Sequence, residues 1–289
     1  LTEALNFFDR ILSPLAPILN RLPLPSNRRF ARAVARMDET VYRIINERRA
    51  SGEDRGDVLS MLLAAQDEDD GGVMTDRQVR DEAITLFLAG HETTANALTW
   101  TWHLLSQHPE AEAELHRELA EVLNGRLPAI EDLPRLDYTR KVFTESMRLY
   151  PPAYMLGREA VEDVPLGEYV VPRGDMVVMS QFSIHRDPRF YNEPDNFNPS
   201  RWTPEMQESL PRFAYFPFGG GPRICIGEGF AWTEGVLVLA TLAQRWRFRT
   251  VPGHPIALRP LITLRPRYGL RMTVHPPEKA ETAKSTTRV

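Results

Sequence analysis

Apolar residues recur along most of this chain with the 3.6-residue period of a helix, interrupted at intervals by Pro and Gly. After the prolines of "LPLPSN", the positions Phe30, Val34, Met37, Val41 and Ile44 predict an amphipathic helix over about residues 27–50. The apolar run "DVLSMLLAAQ" predicts a short second helix, and the acidic "DEDDGG" behind it predicts a solvated loop. In "TDRQVRDEAITLFLAGHETTANALTWTWHLLSQHP", Thr75 and Gln78 have the spacing of a capping box and Pro109 closes the run. The stretch between predicts one helix over about residues 76–107, roughly 48 Å long. Its middle is apolar on nearly every face, which predicts a buried helix rather than a surface one.

Two more helices follow. "PEAEAELHRELAEVLNG" has Pro109 at its start and Asn124-Gly125 at its end, and "DYTRKVFTESMRLYPP" is stopped by Pro151-Pro152. From there to about Val178 the pattern shortens to β-like runs ("EYVVP", "DMVVMS") between Gly and Pro turns. A Pro- and aromatic-rich connector leads into "FAYFPFGGGPRICIGEGF", and a last helix is read in "GFAWTEGVLVLATLAQRW". Short strands are expected near "LITLRP" and "GLRMTV", with residues 276–289 a disordered tail. The fold class is therefore mainly α with small β-sheets, without internal repeats. The opening "LTEALNFFDRILSPL" already carries a helical pattern and no initiator Met, so the chain is expected to be a fragment. It also lacks the basic head and cleavage site of a signal peptide.

Composition narrows the function. Lys and Arg number 35 against 39 Asp and Glu, a net charge of −4, so no global basic excess argues for nucleic acid or an anionic membrane. No apolar run approaches the ~20 residues of a membrane span. One cysteine excludes an internal disulfide framework and fits a reducing compartment, so a cytoplasmic location is expected.

That cysteine, Cys225, stands among Gly219, Gly220, Gly221 and Gly227. A lone cysteine is more often a small buried hydrophobe. Here the glycines let several N–H groups turn to one point, and a helix begins just downstream, which would favour a thiolate. No local base supports a nucleophile, and no second Cys or His stands at zinc-finger spacing. A metal needing one protein ligand remains, with heme iron the leading case.

"AGHETT", Ala89 to Thr94, lies within the long helix. The zinc-protease reading of His91-Glu92 fails because position 95 is Ala. The plain reading is a polar patch in which Thr93 or Thr94 bonds back to the preceding turn. The alternative is a notch with an acid and a hydroxyl for proton relay. Glu145 and Arg148 share a helix face at i,i+3, a pairing that is commonly a solvated surface bridge.

Together, in this order, these motifs resemble the cytochrome P-450 family over roughly residues 27–275. In "FPFGGGPRICIG", residues 216–227, Phe218, Gly219, Gly221, Arg223, Cys225 and Gly227 match the family's heme-binding loop. "AGHETT" resembles its oxygen-binding stretch, with Glu92 as the acid and Thr93 as the hydroxyl. Glu145 and Arg148 match its E-x-x-R pair, and Arg201 in "NPSRW" matches the arginine that completes a buried cluster. Ser200 and Trp202 stand where Glu and Phe are more usual. Arg158 in "LGREA" and Arg223 match positions that contact heme propionates.

The resemblance implies a cytochrome P-450 fold over residues 1–275, incomplete at the N-terminus. It implies heme b (iron protoporphyrin IX) on Cys225 and a monooxygenase that inserts one atom of O2 into a hydrophobic substrate. Electrons are expected from an external donor, a ferredoxin or a flavin reductase, because no flavin or nicotinamide fingerprint is present. The expected pocket draws on Phe87, Leu88 and Ala89, on Ala153 and Met155, and on Leu261 and Ile262. The "AGHETT" form resembles fatty-acid and hydrocarbon hydroxylases. The alternatives are a heme-binding fragment, or a heme-thiolate isomerase, dehydratase or sensor.

Overall fold

A computed structural model of the chain describes residues 19, 22, 24–66 and 71–276. The opening helical pattern, most of the acidic loop and all but the first residue of the expected tail lie outside them. The chain divides into two units, residues 1–93 and 94–289.

In the first unit, α1 (Pro25–Ser51) has Pro in its first turn and ends at Gly52, whose N–H donates to Arg48 O. The expected apolar stripe shifts phase near its end: Ile44 is 40% exposed, whereas Ile45 and Arg48 face inward. A 3.6-residue period drifts against a strict three-and-four count over seven turns, so the later position takes over. Arg48 is held by Asp57 Oδ1 and Oδ2 at 2.7 and 2.8 Å and by Ser60 Oγ at 2.6 Å. Asp57 also caps α2 (Val58–Ala64) by accepting from Ser60 N.

Helix α3 (Asp76–Gln107) begins as its sequence predicts. Thr75 N donates to Gln78 Oε1 at 2.9 Å, and Gln78 N donates to Thr75 Oγ1 at 3.3 Å. The unit boundary falls inside the helix, after Thr93. The expected burial of its middle is not seen, since Leu86 is 37% and Phe87 57% exposed. An apolar surface is buried only where another element covers it, and among the described residues that cover reaches α3 mainly from Thr94 onward. There Ala97, Trp100, Thr101, Leu104 and Leu105 are buried.

In the second unit, α4 (Pro109–Leu123) ends at Asn124, which adopts a left-handed conformation with φ 47°. A 3-10 turn (Ile130–Arg135) leads to α5 (Asp137–Leu149). Glu118 of α4 accepts from Tyr138 N and Thr139 N at 2.6 and 2.8 Å, capping the start of α5 across the core. Leu115, Leu119, Leu123, Val142 and Phe143 form that core with Leu239, Ala240 and Ala243 of α8 (Glu228–Ala243). The helices meet closely at Gly235, where a Cβ would stand 2.3 Å from the Phe143 ring.

Among the described residues, four two-stranded antiparallel sheets complete the unit. They pair β1 (Leu156–Glu159) with β4 (Met176–Met179), and β2 (Val164–Leu166) with β3 (Tyr169–Val171). They also pair β5 (Arg247–Thr250) with β8 (Met272–His275), and β6 (Leu258–Pro260) with β7 (Leu264–Pro266). Strands β3, β4, β7 and β8 were expected from sequence, and their partners were not. The connector holds two short helices, α6 (Gln181–Ile184) and α7 (Pro204–Ser209). No helix among the described residues is long and apolar enough to cross a membrane.

Candidate active site

Cys225 is exposed, in a loop between two anchored ends. Upstream, Gly219 N donates to Phe216 O at 2.9 Å and Cys225 N to Phe218 O at 3.0 Å. Downstream, α8 starts three residues on, and Trp232 packs against both Phe218 and Phe143 at 5.7 Å between ring centres. Gly219 has φ +76°, and a Cβ on Gly220 would stand 2.4 Å from the Phe213 ring. These two positions exclude a side chain for different reasons, one conformational and one steric.

Four loop amides, those of Gly219, Ile224, Cys225 and Glu228, donate to carbonyls rather than to the sulfur. Backbone closure of the turns claims them first. Gly227 still lies close to the sulfur, where a Cβ would be 3.8 Å from Sγ. Exposed apolar side chains flank the thiol, with Ile226 91% and Phe230 68% exposed. Arg223 is exposed in the loop. Arg158, on β1, is exposed too, with Nη1 donating to Gly157 O at 2.8 Å.

The donor set is a single sulfur. Among the described residues no group of three His, Cys, Asp or Glu could hold a bare metal ion. One soft ligand beside exposed apolar side chains fits a metal held mainly by its own cofactor, as heme iron is.

Glu145, Arg148 and Arg201 come together as a buried cluster, not as a surface bridge. Arg148 Nε and Nη2 donate to Glu145 Oε2 and Oε1, both at 2.9 Å, and Arg201 Nε donates to Oε1 at 2.9 Å. Asn198 N reaches the same oxygen at 3.0 Å. Trp202 Nε1 donates to Oε2 at 2.8 Å, so the residue read as a mild departure is a member of the cluster. Its indole N–H was the available signal, because phenylalanine has no such donor. Arg148 Nη1 also donates to His185 O and Pro194 O at 2.8 and 2.6 Å, tying the connector to α5. His185 was missed as well. It is fully buried and accepts at Nε2 from Phe216 N at 3.0 Å, at the head of the cysteine loop. Burial, and then the charge of Arg148, pulls its pKa down to about 3.

Within α3, Thr93 Oγ1 donates to Ala89 O at 2.7 Å, the back-bond of the plain reading. Glu92, Thr93, Phe87, Leu88 and Ala89 all belong to the first unit. In the second unit, the other two expected pocket segments meet: Leu264 N donates to Pro152 O at 2.9 Å. They are fixed to the latter part of α3 by Trp100 Nε1 to Leu264 O at 2.9 Å and Asn96 Nδ2 to Thr263 Oγ1 at 3.1 Å. Met155 and Ile262 are 41% and 52% exposed, and Ala153 and Leu261 are half-buried.

A cleft of 710 Å³ opens beside the cysteine loop, lined by Arg140, Lys141, Arg212, Phe213, Phe218 and Trp232 among others. Arg140 lies 5.3 Å over the Trp232 ring and Arg212 4.8 Å over Phe213, while Lys141 pairs with Asp137 at 2.7 Å.

A family model described as cytochrome P450 matches residues 1–271. Cyclooctatin synthase of Streptomyces melanosporofaciens is 49% identical over 248 residues, which are 86% of this chain and 54% of that protein. Pentalenene oxygenase of Streptomyces avermitilis is 41% identical over 262 residues, 90% of this chain and 58% of that one. The solved heme domain of cytochrome P450DA matches with a TM-score of 0.84 at 29% identity, covering 96% of this chain and 60% of that chain. The chain thus spans about half the length of the curated relatives it matches.

Proposed function

Because this chain belongs to the cytochrome P450 family, we propose that the whole protein carrying it is a heme-thiolate monooxygenase acting on a hydrophobic substrate. The observation that carries this reading is the lone exposed Cys225, held in a glycine turn whose far side is anchored to the buried Glu145 cluster.

Cys225 would hold the heme iron as thiolate, with Arg158 and Arg223 on the propionates and Phe218, Gly219 and Gly227 shaping the bed. When bound, the heme supplies oxygen activation, placing one atom of O2 on substrate carbon while the other leaves as water after two electrons and two protons. The chain's own residues do the rest. Glu92 would hold and pass protons, while the Thr93 oxygen, its O–H donated to Ala89 O, would accept a hydrogen bond and orient the proton donor. Phe87, Leu88, Ala89, Ala153, Met155, Leu261 and Ile262 would bind the substrate and exclude water. The cleft with Arg140, Lys141 and Arg212 supports docking of a separate, acidic electron donor, a ferredoxin or a flavin reductase.

The names of the relatives move the substrate away from fatty acids. One acts on pentalenene and another on cyclooctat-9-en-7-ol, so a cyclic terpenoid hydrocarbon or its alcohol is the proposed class. The test is a ferrous carbon-monoxide difference spectrum of the heme-reconstituted chain, of the whole protein, and of Cys225→Ser in each. The long-wavelength Soret band of thiolate ligation is expected, and Cys225→Ser abolishes it. A whole protein without that band overturns the reading.

A further inference from the structure

A non-glycine residue with positive φ is uncommon, and for a bulky side chain such a backbone is strained. Phe213 has φ +66°. It holds the third position of a tight turn closed by Ala214 N donating to Pro211 O at 2.9 Å, a place where glycine fits at no steric cost. The residue is 47% exposed, so burial of the ring offsets little of that strain. What the ring does touch is the cysteine loop. The three atoms nearest to a Cβ built on Gly220 are Cε1, Cζ and Cδ1 of Phe213, at 2.4, 3.2 and 3.3 Å. Strain of this kind persists where the surroundings over-determine it, and it clusters at functional sites.

The loop has need of such a contact. Gly219 and Gly221 have φ +76° and +69°, and glycine backbones are held there by neighbours rather than by their own sterics. Among the described residues nothing stands within 4 Å of a Cβ built on Gly221, so the turn is open on that side. The Phe213 ring is itself seated. It meets Phe216 edge to face at 6.1 Å between centres, and Arg212 puts its guanidinium carbon 4.8 Å from the ring centre. Phe216 is fixed in turn, its N–H donating to buried His185 Nε2 at 3.0 Å and its carbonyl accepting from Gly219 N at 2.9 Å. The ring therefore joins a fixed base to Gly220, which lies between the two left-handed glycines on the approach to Cys225.

We propose that Phe213 is a positioning residue, whose ring clamps the turn at residues 219–221 and so sets where Cys225 presents its sulfur. The clamp's contacts stand on the chain's own packing, while its purpose rests on the heme-thiolate reading of Cys225.

The test uses the whole protein and reads the loop by hydrogen exchange over residues 218–226, where Cys225 N is bonded to Phe218 O. Phe213→Ala should speed exchange there by roughly tenfold, and Phe213→Tyr, which keeps the ring, should not. Phe213→Gly separates clamp from turn, because it gives the turn its favoured residue and removes the ring. With a clamp, the glycine variant exchanges as fast as the alanine one. Exchange as slow as in the wild type would assign Phe213 to the turn alone and overturn the proposal. Gly220→Ala reaches the same contact from the loop side and should also speed exchange. Combined with Phe213→Ala it should add little, and additive effects would overturn the clamp as well. The thiolate band of the ferrous carbon-monoxide complex should be lost faster in Phe213→Ala than in Phe213→Tyr, and equal rates would overturn the positioning role. A wild type without that band sinks the heme-thiolate reading, and the exchange experiment still decides the clamp.

Discussion

Glu145 accepts five hydrogen bonds on its two oxygens, from Arg148 twice, Arg201, Asn198 and Trp202. Removing its charge leaves two guanidinium groups facing a neutral amide in a dry interior, and breaking such a pair costs about 3–5 kcal/mol. Glu145→Gln should therefore abolish soluble folded protein or its thiolate spectrum. Trp202→Phe loses one donor and should cost only about 1–3 kcal/mol, read as a lowered midpoint with the spectrum intact. Equal losses in the two variants would place Trp202 at the heart of the cluster instead.

His185 makes a pH prediction. Its pKa of about 3 in the fold lies below the ~6.5 of an unfolded chain. Above about pH 6.5 both states are neutral and the stability is fully present. As pH falls toward 3, the unfolded chain binds a proton that the folded chain refuses, and stability drops by up to about 1.4 kcal/mol per unit. His185→Gln should flatten the stability profile between about pH 6 and 4. An unchanged slope would assign acid sensitivity elsewhere, for example to buried His103, which desolvation also lowers.

At the scale of elements, α5 and α8 approach so closely at Gly235 that an added Cβ would lie 2.3 Å from Phe143. Gly235→Ala should destabilise by roughly 1–3 kcal/mol through overpacking, despite alanine's better helix propensity. Adding Phe143→Leu should recover part of that loss, and calorimetry of the double variant decides it. Helix boundaries were legible where local chemistry sets them. Thr75, Gln78, Pro109 and Asn124 terminate helices by contacts within a few residues, and the structure places those ends as the sequence predicts. Strands β1, β2, β5 and β6 were not legible, because three or four residues carry no measurable period and their pairing is made at a distance. The burial of α3 was misread for a related reason. A helix sequence reports how apolar each face is, and neighbours elsewhere decide whether it is covered.

For the whole molecule, the motif residues of the candidate site were readable, because each stands in a short stretch with its own pattern. Their second layer was not. Trp202 and His185 act through partners 57 and 31 positions away, Trp202 on Glu145 and His185 on Phe216. The apolar rim at Ile224, Ile226 and Phe230 is exposed to 52%, 91% and 68%. A polarity-sensitive dye should therefore bind the apoprotein, and heme should displace it. Ile226→Ser should weaken dye binding without heme, and a dye signal indifferent to both heme and Ile226→Ser would refute a binding face there.

The exposed Cys225 is also the chain's only sulfhydryl. A maleimide titration thus becomes a stoichiometric counter: each mole of reagent consumed marks one molecule whose sulfur is unengaged. Reacted and spectrally competent fractions should sum to one, giving an occupancy gauge that needs no substrate, no electron donor and no engineered tag.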